Sequence, residues 1–285
     1  MTNSDEQGSS PTPDREAVIA ANIAVHSHIV ERYGEEPHFR PENQAKVKAR
    51  LSALRARSPG GRLLDVGCGT GFIITLAADL FDEIHGVDIT PAMLAKVDLS
   101  PGNITLHTAQ AEALPFDAAQ FDAMTAYSFI DHLLDYRLLL AEAARVLRPG
   151  GRFYIDLIPN RAFWQSMAAL GRDNSVDLPP TISREVEVAL HNDERLAREL
   201  GVARHDAQLL EPSKEKGGID GDALVADALA AGFGDATLHY EWYLGQAGVL
   251  HGQSAETAEA VDRYLQSLLP FTRNLYKYCW VELIR

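Results

Sequence analysis

The spacing of apolar residues along the chain changes near residue 60. Before that point apolar side chains recur at helical intervals. Over residues 14–33 they are Ile19, Ile23, Val30 and Tyr33, and a second such segment covers Pro41–Arg57. Gly34 follows the first of these segments, and Pro41 opens the second, as expected at a helix end and a helix start. Two N-terminal helices are therefore predicted.

Beyond Pro59, short apolar runs alternate with helical stretches. Strands are predicted at Arg62–Val66, Glu83–Ile89, Asn103–Thr108, Phe121–Phe129 and Gly151–Ile158. Helices are predicted between them at Phe72–Phe81, Thr90–Val97 and Asp135–Leu147, the last one ending at the Arg148–Gly151 turn. This alternation is typical of an α/β fold, a doubly wound parallel sheet that binds ligands beyond the carboxyl ends of its strands.

The alternation stops over residues 159–218, which are polar and are predicted to form a partly helical insertion. It resumes with a helix near Asp222–Ala231, a strand near Ala236–Leu244, a helix at Ala255–Leu269 and a strand near Tyr278–Ile284. Residues 1–13 are polar and rich in Ser, Thr and Pro, so we expect a disordered tail there.

Composition narrows the classes of partner. The net charge is −14, from 26 basic and 40 acidic residues, which argues against a nucleic-acid partner. No apolar run approaches the roughly 20 residues that span a bilayer, so no membrane association is predicted. Two cysteines, Cys68 and Cys279, do not make a disulfide framework, and a cytoplasmic protein is expected. The basic residues between Lys46 and Arg62 are interpreted as a solvated helix face.

The most informative motif is a glycine turn between a strand and a helix. Gly67, Gly69 and Gly71 follow the apolar run that ends at Val66, and Phe72 opens the next helix. Glycines let a ligand approach the main chain closely, and the N-terminus of a helix favours anionic groups. A purely structural turn is the alternative. A dinucleotide fingerprint is disfavoured, because its third glycine would stand at Phe72.

Four later segments follow the glycine turn in a fixed order. They are Gly86–Ile89, Gln110–Phe116, Phe121–Leu133 and Glu142–Gly151. Together with Leu63–Phe72, this order resembles the class I S-adenosylmethionine-dependent methyltransferases, and specifically those that act on small molecules. The resemblance implies a Rossmann-like, seven-stranded sheet, mostly parallel, with an antiparallel last strand. It covers about residues 62–158, and the flanks are not assigned.

The resemblance also implies where S-adenosylmethionine binds. The methionine end would lie over the glycine turn with Asp65 facing its ammonium group, Asp88 would accept from both ribose hydroxyls, and Gln110 would read the adenine amine. The family usually has an acid at position 110, so Gln110 departs from the pattern. Apolar contacts with adenine are expected from Ile89 and Leu114. The full predicted set is Asp65, Gly67, Cys68, Gly69, Gly71, Asp88, Ile89, Gln110, Ala111, Glu112 and Tyr127.

Three residues are candidates for catalysis. His132 follows the fourth predicted strand, where the transferable methyl group is expected, so it is the leading candidate for a general base. Asp131 would orient His132 or hold a substrate amine. His26 is the second candidate base, although it shares the apolar stripe of the first helix and packing is the favoured interpretation. Tyr33, His38 and Phe39 are candidate lid residues. No metal site is predicted.

The resulting prediction is methyl transfer from S-adenosylmethionine to an oxygen or nitrogen of a small-molecule metabolite. Residues 14–285 would form one domain, with a helical cap at 14–58, a cofactor-binding core at 59–158, a substrate lid at 159–218 and the end of the sheet at 219–285. Two alternatives stay open: a cofactor-binding partner or regulator without catalysis, and a nicotinamide-dependent oxidoreductase. Self-association as a homodimer is left open as well.

Overall fold

The structure is a computed structural model that describes residues 14–35, 39–173, 175 and 177–285. The predicted tail at 1–13 and the candidate lid residue His38 lie outside the described residues. No helix within the described ranges is long and apolar enough to cross a membrane.

A single seven-stranded sheet organises the chain. Its strands are β1 (Arg62–Val66), β2 (Glu83–Asp88), β3 (Ile104–Thr108), β4 (Phe121–Tyr127), β5 (Leu147–Pro159), β6 (Asp235–Tyr243) and β7 (Tyr276–Ile284). Their order across the sheet is β3-β2-β1-β4-β5-β7-β6. The first five strands are paired in parallel, and β7 runs antiparallel to both β5 and β6. The predicted α/β class and the antiparallel last strand are confirmed.

Thirteen α-helices are present in the described part of the chain. They are α1 (Arg15–Ile29), α2 (Pro41–Arg57), α3 (Phe72–Ala77), α4 (Pro91–Leu94), α5 (Tyr136–Val146), α6 (Arg161–Arg172), α7 (Pro180–Leu190), α8 (Asn192–Leu200), α9 (Arg204–Leu210), α10 (Pro212–Glu215), α11 (Gly221–Ala230), α12 (Gln246–Gly252) and α13 (Ala255–Ser267). Short 3-10 helices cover Val30–Glu35, Ile130–His132 and Arg273–Leu275. The 159–218 segment is thus mainly helical, with α6 to α10.

Several predicted boundaries were wrong by a few residues. Helices α3 and α4 are each shorter than predicted. Strand β5 begins at Leu147 instead of Gly151, so the expected turn belongs to the strand. The reason is pairing with the chain's last residue, because Gly150 donates to the carbonyl of Arg285 and Arg285 donates to the carbonyl of Gly151.

The buried face of α1 also differs from the predicted stripe. Val18, Ala21, Val25 and Ile29 are buried there, not the predicted set that began with Ile19. This face packs on the insertion, where Val25 shares an apolar cluster with Leu196, Ala207 and Leu210. The opposite side of α1, with Ala20, Ala24 and Ser27, is exposed.

The interpretation of the basic run as a solvated face was wrong for α2. Arg50 forms ion pairs with Asp156 at 2.8 Å and with Glu241 at 2.7 Å, and Lys46 reaches Glu241 at 3.3 Å. Burial, and then the charge of Glu241, raise the pKa of Asp156 to about 6. These cations hold α2 on the sheet, because β5 and β6, the two strands that flank β7, carry the acidic side chains Asp156 and Glu241.

Candidate cofactor and acceptor site

A cavity lies at the carboxyl ends of the parallel strands, where the fold predicts a ligand. Its walls come from the glycine turn after β1, from residues 88–90 after β2, from residues 110–112 after β3, and from residues between 128 and 134 after β4. Helix α1 and Tyr33 cover it. The chain's N-terminal helix is therefore a wall of the same cavity as the predicted cofactor residues.

The glycine turn is built so that its main chain faces this cavity. Gly67 has a φ of 68°, and a Cβ there would lie 2.1 Å from the Phe129 ring. The amides of Gly67 and Cys68 both donate to the carbonyl of Val87, which fixes the turn to β2. At Gly69, with a φ of 52°, a Cβ would meet nothing closer than Tyr33 at 3.7 Å. The turn is tightly packed below Gly67 and open above Gly69.

Asp88 links the glycine turn to the end of β2. Its carboxylate accepts from the amide of Gly69 at 2.9 Å and from the amide of Thr90 at 2.8 Å. Burial raises the pKa of Asp88, and the two amide hydrogen bonds oppose that rise. The carboxylate lines the cavity and retains lone pairs for a ligand hydroxyl. Its predicted position beside the ligand is consistent with this geometry.

Asp65 and Cys68 lie beneath the turn. Asp65 is buried, its Oδ1 accepts from the Thr125 hydroxyl at 2.7 Å, and its Oδ2 has no partner among the described residues. Burial raises the pKa of Asp65 to about 7. The Cys68 side chain packs in the apolar core, and burial raises the pKa of its thiol. Cys68 therefore contributes only its main chain to the turn.

The segment after β3 that is predicted to contact adenine is bound by a side chain of α1. Arg15 donates to the Gln110 amide oxygen at 3.1 Å and lies 3.5 Å from a carboxylate oxygen of Glu112. Ile89, Ala111 and Glu112 line the cavity as predicted. Sequence reasoning missed Arg15, because nothing local connects it with a residue 95 positions away.

Two residues expected near the ligand lie elsewhere. Leu114 is in the apolar core, and its amide donates to Glu142 at 2.7 Å. The Tyr127 hydroxyl accepts from Asn43 at 2.8 Å, and its ring packs on Phe72 with centroids 5.0 Å apart. Tyr127 therefore lies on the face of the sheet that α2 covers, because alternate residues of β4 point to opposite faces.

Two imidazoles meet at the other end of the cavity. His26 from α1 and His132 from the 3-10 helix after β4 have ring centroids 5.3 Å apart in an edge-to-face arrangement. Nδ1 of His26 donates to the carbonyl of Asn22 at 2.9 Å, and Nδ1 of His132 donates to the carbonyl of Leu210 at 2.8 Å. Since a carbonyl can only accept, each neutral ring carries its lone pair on Nε2.

His26 is held in the neutral form. Burial, and then the proximity of His132, lower its pKa to about 4. The structure thus brings the two candidate bases, His26 and His132, together. The packing interpretation of His26 describes only part of its surroundings, because the ring also lines the cavity.

Asp131 has a different environment from His132. It is buried, and its Oδ2 lies 3.2 Å from the Lys214 ammonium of α10. Lys214 also lies 2.7 Å from Glu211. One ligand atom from each of Asp131, His132 and Glu211 lies within 4.8 Å of the other two, which is a spacing that a metal ion could use. The Lys214 ammonium already supplies positive charge to both carboxylates.

The residues present fit S-adenosylmethionine. An open main-chain cradle stands at Gly69, a carboxylate stands at the end of β2, and Asp65 holds a buried oxygen without a partner among the described residues. The amino-acid tail of the cofactor would engage the cradle and Asp65, its ribose would engage the Asp88 carboxylate, and its adenine would lie near residues 110–112. The fold and this site together define the class I S-adenosylmethionine-dependent methyltransferases.

Comparison with known proteins agrees with that class. Residues 64–155 match a family described as a methyltransferase domain. The O-methyltransferase cnsE of Penicillium expansum is 34% identical over 49% of this chain, which spans about half (52%) of that protein. A ubiquinone biosynthesis O-methyltransferase of Thiobacillus denitrificans is 26% identical over 65% of this chain and 84% of its own length.

Among solved structures, an S-adenosylmethionine dependent methyltransferase from Mesorhizobium loti has a TM-score of 0.51 and 17% identity. The alignment covers 83% of this chain and 96% of that one. At this identity the likeness establishes the fold.

Proposed function

We propose that this protein transfers a methyl group from S-adenosylmethionine to a hydroxyl oxygen of a small molecule. The observation that carries the proposal is the pair of imidazoles, His26 and His132, in one cavity with the glycine turn. A hydroxyl is a weak nucleophile until it loses its proton, so its methylation benefits from a positioned base. Two of the relatives are named as O-methyltransferases, which supports oxygen over nitrogen.

The residues that would hold the cofactor are those predicted from sequence, with two changes. Gly67 and Gly69 offer the main chain, Asp88 accepts from the ribose, and Ile89 and Ala111 flank the adenine. Cys68 and Tyr127 contribute no side chain to the cavity, and Arg15 joins the adenine end. When bound, S-adenosylmethionine supplies an electrophilic methyl group, and the carbon–sulfur bonding pair stays on its sulfur.

His132 is proposed as the general base. Its Nδ1 is fixed on the carbonyl of Leu210, so Nε2 is the atom that takes the proton from the acceptor hydroxyl. His26 stays neutral and can accept a second hydrogen bond from the substrate, which holds the acceptor in place. Phe129, Leu133 and Leu134 line the same cavity with apolar surface and exclude water.

The substrate is proposed to be enclosed by α1, by the 159–218 insertion and by the segment between β6 and β7. The cap, core and lid divisions of the chain remain part of this proposal, as do the cytoplasmic setting and the exclusion of nucleic acid. Catalysis is favoured over a purely cofactor-binding role because such a role needs no base beside the cavity. The methyltransferase family match likewise disfavours nicotinamide chemistry.

The test uses methyl-labelled S-adenosylmethionine and an extract of hydroxylated metabolites. We expect labelled methyl ether products, formed about 10²- to 10⁴-fold more slowly by His132→Gln. Cofactor affinity, measured by calorimetry, should be unchanged in that variant. Absence of labelled product with the parent protein, or label found on nitrogen, would contradict the proposal.

A further inference from the structure

The groups that surround His132 form a charged cluster that the mechanism above does not use. Asp131, Glu211 and Lys214 carry two negative charges and one positive charge, so the sum is 1 − 2 = −1. One oxygen of each carboxylate, Asp131 and Glu211, lies within 4.8 Å of a ring nitrogen of His132. The half-buried imidazole therefore faces a net negative charge.

Glu211 is the member of this cluster that is held most firmly. Its Oε1 accepts from Lys214 at 2.7 Å, and its Oε2 accepts from Asn192 at 3.1 Å. The residue is 9% exposed. Burial opposes its ionisation, yet the charge of Lys214 and then that of His132 lower the pKa of Glu211 to about 2. It is a fixed anion at neutral pH.

The connection between Glu211 and His132 also runs through the main chain. Leu210, whose carbonyl receives the Nδ1 proton of His132, directly precedes Glu211. At the junction of α9 and α10, the Leu210 carbonyl accepts from Nδ1 of His132, and the Glu211 carboxylate lies close to the same ring. An insertion segment almost 80 residues away in sequence sets the orientation of the candidate base.

We propose that Glu211 is a positioning residue for methyl transfer, which stabilises the protonated form of His132 while Lys214 limits that effect. This inference rests on the proposed function of His132 as a base. In the step concerned, the acceptor O–H bond breaks and its proton moves to Nε2 of His132. The electron pair of that bond stays on the oxygen, which becomes the nucleophile.

Other charged or titratable groups also face His132. His26 approaches from α1 and is neutral near pH 7, so it adds no charge there. Asp88 approaches from the end of β2 and interacts electrostatically with His132. Asp131 precedes it on its own 3-10 helix. Of these anions, Glu211 is the one fixed by two side-chain donors from the insertion, and Lys214 is the cation that opposes it.

Two variants with opposite expected effects test the proposal. Glu211→Gln removes an anion, so the imidazole of His132 should lose its proton at lower pH. Lys214→Met removes a cation, so it should lose its proton at higher pH. The midpoint should move by about one pH unit or more in Glu211→Gln, because an oxygen of that carboxylate lies within 4.8 Å of a ring nitrogen and a charge within 4–6 Å has effects of that size. In Lys214→Met the midpoint should move in the opposite direction. Titration of the His132 ring by NMR, assigned with His132→Gln, needs neither cofactor nor substrate.

The matched control is Asp193→Asn. Asp193 is a buried carboxylate of the same insertion that pairs with Arg204 at 2.6 Å and Gln208 at 2.8 Å. We expect no change in the His132 midpoint. Glu211→Asp keeps the charge and should restore the parent midpoint, and it replaces the glutamine variant if that one fails to fold. Equal midpoints in the parent and in Glu211→Gln, or shifts of the same sign in both variants, would overturn the proposal.

The activity measurement separates this proposal from the proposed function. With an acceptor identified, the acid limb of the kcat/KM profile should move to lower pH in Glu211→Gln, with a lower kcat and little change in KM. An NMR shift without any methyl transfer by the parent protein would mean that the electrostatic coupling holds and the assigned reaction is wrong. Methyl transfer by the parent protein, with an acid limb that does not move in Glu211→Gln, would mean that the assigned reaction holds and the electrostatic coupling is wrong.

Discussion

The two ends of the cavity are built in different ways. The cofactor end is made mostly from main chain and from residues close in sequence, such as Gly69 and Asp88, which are 19 positions apart. The acceptor end is made from the side chains of His26, His132 and Glu211, which three separate segments supply. The first end is fixed by local turn geometry, whereas the second exists only when α1 and the 159–218 insertion pack beside the 3-10 helix after β4.

This difference sets what each end can tolerate. A glycine in the turn cannot be replaced where a side chain would clash with its neighbours. Few substitutions in the turn therefore preserve the site. The acceptor end can exchange one side chain for another at each of its three sources, so it can be adapted to different substrates. The predictions below test whether the two ends differ in this way.

The largest effect is expected at Asp88. Asp88→Ala removes the acceptor for the amides of Gly69 and Thr90 as well as the proposed ribose contact, so the cradle loses its shape and its ligand together. Hydrogen bonds to a charged group are worth about 1.5–3 kcal/mol each, and we expect the Kd for S-adenosylmethionine to rise at least about 100-fold. Calorimetry measures this.

The control for that experiment is Asp98→Ala. Asp98 is an exposed carboxylate that accepts from the amide and hydroxyl of Ser100. Its removal should leave the Kd unchanged. Tight cofactor binding by Asp88→Ala would show that the ribose lies elsewhere.

A smaller effect is expected from a pair of substitutions within the turn. Gly67→Ala places a methyl group in a clash with the Phe129 ring, whereas Gly69→Ala places it in ordinary contact with Tyr33. Both positions have positive φ, so the difference isolates the packing cost. We expect a loss of about 3 kcal/mol of unfolding free energy for Gly67→Ala and about 1 kcal/mol for Gly69→Ala. Equal losses in urea unfolding would mean that the turn is not packed as described.

The smallest effect concerns the pH dependence of stability at the acceptor end. The pKa of His26 is about 4 in the folded protein and about 6.5 in the unfolded chain, so the unfolded state binds more protons between these values. His26 therefore contributes its full stability above about pH 6.5 and loses it as the pH falls towards 4. The loss by about pH 5 should be about 2 kcal/mol.

The variant His26→Gln should lack this loss of unfolding free energy between about pH 6.5 and pH 4. The difference between variant and parent is the quantity to measure, because Asp65 has a raised pKa and contributes the opposite slope as the pH rises towards 7. The control is His28→Gln on the exposed side of the same helix. An identical pH dependence of unfolding in the parent and in His26→Gln would contradict the buried, neutral state of His26.

The sequence predicted the cofactor end better than the acceptor end, for a physical reason. Strand, turn and helix from Arg62 to Ala77 leave a local signature of apolar runs and glycines, and the antiparallel last strand was expected from the family resemblance. The side-chain direction of Tyr127 depends on its register in β4, and that of Leu114 depends on the core, so the prediction failed there. Lys214 and Glu211 left no signal, because a pair of charges in a polar segment is ordinary until the fold brings it to His132.

The position of β7 has a consequence for how the chain assembles. β6 pairs with β7, which pairs in turn with β5, so the strand made last lies inside the sheet. Until residues 276–284 leave the ribosome, the edge of β5 stays unpaired and β6 lacks the neighbour it has in the described structure. An uncovered edge invites pairing with other chains. During synthesis of residues 160–275 the edge of β5 is therefore open to pairing with other chains.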